Sequence, residues 1–167
     1  MDAKDYVKQL DWNSAIAEAT LDLDIHKSGQ PKKTTQLTEE EDYLYRGIAR
    51  CFVTNKDGNY KEAIGDLSMA ITLNVNNVDA YHHRAYAFYL DGNYEKAKVD
   101  CDKVIALQKS SAYTDELLGK IYNAMGKYAE SAEWFGKAVK YWHSQGTLPS
   151  PSLLDSYREA CKRMNNV

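Results

Sequence analysis

Three short phrases recur at a fixed interval: Gly58-Asn59-Tyr60-Lys61-Glu62-Ala63, Gly92-Asn93-Tyr94-Glu95-Lys96-Ala97 and Gly126-Lys127-Tyr128-Ala129-Glu130-Ser131. Successive glycines are 34 residues apart, and so are the tyrosines. Nothing else in the chain restricts its folding so tightly, because self-similarity at this period marks stacked supersecondary units. Each phrase reads as a helix stop followed by a helix start. Glycine takes a positive φ at the tight turn, the tyrosine opens the next helix, and the small residue three further on lets two helices close up. One helix pair cannot bury its own apolar face, so pairs must stack to fold. The expected architecture is an all-α solenoid of antiparallel helix pairs.

Following the period outwards divides the chain. Residues 1–27 read as a partial, degenerate repeat with helices over 2–10 and 13–26. Trp12, Ala15 and Ile16 have the spacing of Tyr60, Ala63 and Ile64, while Ala3 and Tyr6 supply the small residue and aromatic of a first helix. Trp12 precedes Tyr60 by 48 residues instead of 34, which leaves 14 to place. Ten form the polar loop 28–37, with Gly29, Pro31, Lys32 and Lys33. The other four are expected to lengthen the next helix by about one turn, taking it to Lys56. That helix opens on Thr38-Glu39-Glu40-Glu41, a capping box.

Residues 38–77 are then a repeat with a lengthened first helix. Its second helix, 60–73, carries Ala63, Leu67, Ala70 and Ile71 on one stripe. Repeats follow at 78–111 and 112–145. After the loop 143–149, Ser150-Pro151 starts a capping helix over 150–166. Leu153, Leu154, Tyr157, Ala160, Cys161 and Met164 form its apolar stripe. All of this is expected to be one domain, 1–167.

These residues carry a resemblance. The period of 34, the small residues Gly47, Ala85 and Gly119, the Gly-x-Tyr turns and the alanines at 63, 70 and 97 resemble tetratricopeptide repeats (TPR). The unit at 78–111 offers Tyr81, Ala85, Phe88, Ala97, Cys101 and Val104 at marker positions, with Arg84 and Lys109 off pattern. The unit at 112–145 offers Leu118, Gly119, Tyr122, Ser131, Phe135 and Ala138, with Asp115 and His143 off pattern. The resemblance spans residues 38–145 and, more loosely, 1–27. It implies a right-handed superhelical solenoid whose first helices line a concave groove that holds a peptide or a partner's helix.

Composition narrows the function. A formal net charge of −3 with 27% charged residues disfavours a nucleic-acid binder, which needs an excess of Lys and Arg on one face. No apolar run approaches the roughly 18 residues that span a membrane, and the first 25 residues hold no signal-peptide core. A cytoplasmic protein is expected. Cys51, Cys101 and Cys161 match no metal or redox motif and read as buried or half-buried free thiols. Adjacent His82 and His83 lack the i,i+3 or i,i+4 spacing of helical metal ligands and are read as pointing apart. Cys101 occupies a packing position and does not read as a nucleophile. Asp100, Asp102 and Glu39 to Glu41 read as solvated faces and caps. No enzyme activity, cofactor or metal is expected.

Carrying the family's groove positions across assigns Glu41, Leu44, Ile48, Cys51 and Phe52 from the first full repeat. The middle repeat contributes Asp79, His82, Tyr86, Tyr89 and Leu90; the last contributes Tyr113, Glu116, Lys120, Asn123 and Ala124. One subclass of the family clamps chaperone C-terminal carboxylates with Lys/Asn/Asn/Lys/Arg. Here those positions hold Leu44, Ile48, His83, Tyr113 and Leu117, so a carboxylate clamp is not expected. The groove residues singled out are Leu44, Ile48, Phe52, His82, Tyr86, Tyr89, Lys120 and Asn123: aromatic and largely uncharged at first, polar near the end. The resulting expectation is a protein–protein interaction scaffold for a peptide or amphipathic helix. The competing expectation is self-association, or attachment to further repeats, through an open N-terminal end.

Overall fold

The computed structural model describes residues 3–29, 37–53, 60–108 and 111–165. The expected turn at Gly58, most of the loop 28–37 and the side chain of Tyr6 lie outside the described residues. Nine α-helices and no strand occur among those described. They fall into two compact units, Met1–Gly92 and Asn93–Val167.

The first unit holds α1 (Ala3–Lys8), α2 (Trp12–Ser28), α3 (Glu39–Phe52), α4 (Lys61–Leu73) and α5 (Val78–Leu90). Helix α3 packs against both α1 and α5, so these three form one layer. Helices α2 and α4 form a second, each packed on two members of the first. Leu23, Leu44, Ile48, Cys51, Ala63, Leu67 and Ala70 meet in the core between them. Close approach requires the small residue of the repeat. A Cβ on Gly47 would stand 2.7 Å from Leu67 Cγ, inside van der Waals contact.

The local signals at helix starts act as expected. Thr38 Oγ1 accepts from the Glu41 N–H at 3.3 Å, and Glu41 Oε2 accepts from the Thr38 N–H at 2.9 Å. Asn77 caps α5 by accepting from the Ala80 N–H at 2.8 Å. The end of α3 differs from expectation. The helix stops at Phe52, and Val53 turns to extended geometry at φ −66°, ψ 105°. The expected continuation to Lys56 is thus broken at Val53, and residues 54–56 lie outside the described residues. Val53 is β-branched, which costs χ1 freedom against the preceding turn of a helix.

The acidic residues are less exposed than their composition suggests. Asp66 lies buried between α3 and α4, where Arg46 grips it with two hydrogen bonds, Nε to Oδ2 at 2.8 Å and Nη2 to Oδ1 at 2.7 Å. Arg50 also donates to Oδ2 and pairs with Glu62 at 3.2 Å. Arg46 reaches on to Thr20 Oγ1 of α2 at 3.3 Å, so one guanidinium ties three helices. Glu40, read as a solvated face, accepts from Asn74 Nδ2 at 3.2 Å and from Asn77 Nδ2, anchoring the turn from α4 to α5. Asp42 is wholly buried, with His26 Nε2 3.3 Å from its Oδ2.

The second unit holds α6 (Tyr94–Gln108), α7 (Ala112–Ala124), α8 (Tyr128–Ser144) and α9 (Pro151–Met164). Helix α7 packs on α6, α8 and α9. Gly126, at φ 74°, ends α7 as the period requires. Its N–H bonds Asn123 O at 3.0 Å while the Lys127 N–H bonds Tyr122 O at 2.9 Å, the two bonds of a Schellman stop. Between α7 and α8 a Cβ on Gly119 would stand 2.5 Å from the Phe135 ring. Ser131 Oγ donates to Gly119 O at 2.8 Å across the same contact. Leu153 and Ala160 bury α9 against Ala132, Phe135 and Ala138, whereas Met164, assigned to that apolar stripe, is exposed. Asp100, also read as solvated, is buried; Asp102 is exposed and pairs with Lys98 at 2.7 Å.

Candidate partner-binding surface

In the first unit four aromatic side chains form a stacked row. Trp12 opens α2, Phe52 closes α3, and Tyr86 and Tyr89 stand one turn apart on α5. Ring centroids are 4.8 Å apart for Trp12 and Phe52, 5.9 Å for Phe52 and Tyr86, and 6.5 Å for Tyr86 and Tyr89. The planes are inclined by only 20 to 29°. These separations fall within the roughly 4.5–7 Å favoured by aromatic pairs. Phe52 is 40% exposed, and the other three are half-buried. Trp12 and Tyr86 also rest on the core cluster beneath, so the row is held from below and open above.

The predicted groove residues therefore separate. Phe52, Tyr86 and Tyr89 come together in the row. Leu44 and Ile48, at 5% and 7% exposure, are core residues that support it, which corrects their placement on the surface. Lys120 and Asn123 belong to α7 of the second unit. Lys120 Nζ is 2.7 Å from Glu116 Oε1, and Asn123 Oδ1 is buried without a hydrogen-bond partner among the described residues. Trp12 was not among the groove residues, although its spacing equated it with Tyr60 and Tyr94. That equivalence was the available signal, and it reached only as far as an aromatic at the start of a second helix.

His82 sits on α5 near the row, half-buried. Its ring meets His83 edge-on, with centroids 5.4 Å apart at 85°, so the two do not point apart as their adjacency suggested. Burial lowers the pKa of both; His82 is partly supported by Asp79, and His83 falls to about 4 with His82 adding to the effect. At neutral pH neither presents a charge. With Leu44, Ile48 and Leu117 buried, the positions of the chaperone clamp supply no cation.

Burial also governs the thiols. It pushes Cys51 up to about 12 and raises Cys101 further, keeping both protonated and away from nucleophilic chemistry. Cys161 is half-buried, and all three are free. No group of three or more His, Cys, Asp or Glu stands ready for a metal among the described residues. No helix among them is long and apolar enough to cross a membrane.

Comparison with known proteins agrees with this architecture. Residues 78–111 and 116–141 match the tetratricopeptide repeat family. A translocon at the outer membrane of chloroplasts, number 64, from Pisum sativum is 32% identical over 84 residues, half of this chain and 14% of its own length. Sperm-associated antigen 1 of Rattus norvegicus is 34% identical over 56 residues, 34% of this chain and 6% of its own. The chain thus aligns with only a small part of these relatives. Among solved structures, a tetratricopeptide repeat protein of Parabacteroides merdae superposes with a TM-score of 0.71 at 15% identity, covering 98% of this chain and 56% of that one. A thermophilic TPR protein of Thermus thermophilus gives 0.64 at 17%, covering 97% and 77%.

Proposed function

Starting from the membership of this chain in the tetratricopeptide-repeat proteins, we propose that it is a non-enzymatic scaffold that holds a segment of another protein against the aromatic row of its first unit. The observation that carries this reading is the row itself. Stacked rings spend part of their apolar surface on one another, yet Phe52 stays 40% exposed between its two neighbours. Large, preorganised aromatic side chains give much contact area at small entropic cost, and they recur at the centres of protein interfaces. Neutral surroundings suit an apolar or amphipathic segment: His82 and His83 are uncharged at neutral pH, and the tyrosines place a polar tip on an apolar body. Lys120 and Asn123 are proposed partner contacts on the second unit. A cytoplasmic location goes with this reading.

A displayed library of short peptides, selected on the purified protein, tests the proposal. Enriched sequences are expected to carry apolar or aromatic anchors at helical spacing. Phe52→Ala and Tyr89→Ala are expected to lose them, Phe52→Tyr to keep them, and all three to melt within a few degrees of the parent. Enrichment that survives Phe52→Ala and Tyr89→Ala unchanged would place recognition elsewhere.

Self-association remains the second reading, favoured by Leu10 and Leu21, both well exposed in the first unit. A sedimentation mass equal to one chain at high concentration would exclude it.

A further inference from the structure

The second unit contains a cleft that the aromatic row does not involve. It measures about 310 Å³ and is lined by Tyr113, Glu116, Trp142, Thr147, Leu148 and Ser150. Its construction follows from the end of α8. Gly146, at φ 67°, turns the chain, and the Thr147 N–H bonds back to Trp142 O at 3.1 Å. The segment 147–150 thereby returns beside the indole, with Pro149 buried as its anchor and Leu148 standing free at the rim. Trp142 packs on the α8–α9 core. Tyr113 meets it nearly perpendicular, with centroids 5.5 Å apart at 82°, and is 64% exposed. Two aromatic walls at a right angle face a carboxylate.

We propose that this cleft receives an arginine side chain of a partner polypeptide. Its volume lies at the lower end of the ~300–1,000 Å³ typical of ligand clefts, which suits one side chain better than a folded segment. Glu116 supplies the charge. Lys120 occupies its Oε1 at 2.7 Å, and Oε2 takes no partner among the described residues. A guanidinium can lie flat against an indole or phenol while its edge donates to that second oxygen. No cation lies over either ring among the described residues, whereas Trp134, two turns earlier on α8, has Lys137 3.7 Å from its centroid. An anion fits poorly. Helices α7 and α9 both begin near the cleft, but Ser111 and Ser150 already accept from N–H groups of their first turns, and Glu116 repels negative charge.

The indole N–H signals of Trp12, Trp134 and Trp142, the only tryptophans of the chain, give a direct readout by two-dimensional NMR. The probes are a blocked Gly-Arg-Gly tripeptide, its citrulline counterpart of the same shape without charge, and inorganic phosphate, all at millimolar concentration. The arginine tripeptide is expected to shift Trp142 and leave Trp12 still. Glu116→Gln should weaken that titration about threefold to tenfold, and Lys120→Met, which removes the internal competitor, should tighten it. A shift of equal size with citrulline, a response to phosphate instead, no movement of Trp142, or weaker binding in Lys120→Met would overturn the assignment. Because this readout lies wholly in the second unit, its result is independent of whether the aromatic row binds a partner.

Discussion

At Gly119 the absence of a side chain is a packing requirement, since an added Cβ would meet the Phe135 ring at 2.5 Å and that ring is itself fully buried. Gly119→Ala is expected to cost about 1–3 kcal/mol, the usual penalty for overpacking a filled contact, measured by urea unfolding. His83 gives a pH signature. Its folded pKa of about 4 lies below the ordinary 6.5, so between those values the unfolded chain binds a proton that the fold refuses. Stability from this group is intact above pH 6.5 and declines as pH falls towards 4. His83→Phe is expected to flatten the fall in melting temperature between pH 7 and pH 5; an unchanged slope would contradict it. Small residues at fixed spacing were legible in the sequence because the period singles them out. Buried carboxylates were not. Asp42 and Asp66 look like any surface acid until a partner arrives from another helix, and Arg46 lies 20 residues from the carboxylate it grips.

Several helix starts were legible because they carry their own capping chemistry. Thr38 with Glu41 and Ser150 with Pro151 cap where their sequence indicated, and Asn77 and Ser111 cap α5 and α7 by the same chemistry. The end of α3 at Phe52 was not, since periodicity alone does not say at which residue a helix stops. What joins α3 to α4 beyond apolar packing is the Arg46–Asp66–Arg50 cluster. Asp66→Ala leaves two guanidinium groups on α3 without the carboxylate they share, and it is expected to cost about 3 kcal/mol, as for other broken buried pairs. Arg50→Ala should cost less, because Arg46 retains its bidentate contact and Arg50 is the more exposed of the two. Equal losses from both variants would show that the cluster is not organised around Asp66.

For the whole molecule, the repeat period dictates an all-α fold in which a helix buries itself on its sequence neighbours and on the next first helix, as α1, α3 and α5 do in one unit and α7 and α9 in the other. That architecture provides surfaces and leaves their use to the residues displayed. The repeat code named most of the aromatic row but not its composition. Leu44 and Ile48 occupy groove positions by register and core positions in fact, buried in the cluster on which Trp12 and Tyr86 rest. The spacing of Trp12 marked it as the aromatic that opens a second helix, but its stacking on Phe52 is a tertiary contact between α2 and α3 that no local pattern contains. The most direct test of partner recognition is to titrate the labelled protein with a peptide selected on it and map the amide and aromatic shifts. The largest changes are expected at Trp12, Phe52, Tyr86 and Tyr89 and are expected to be lost in Phe52→Ala; shifts centred on the exposed faces of α2 and α4, with the row undisturbed, would contradict recognition by the row.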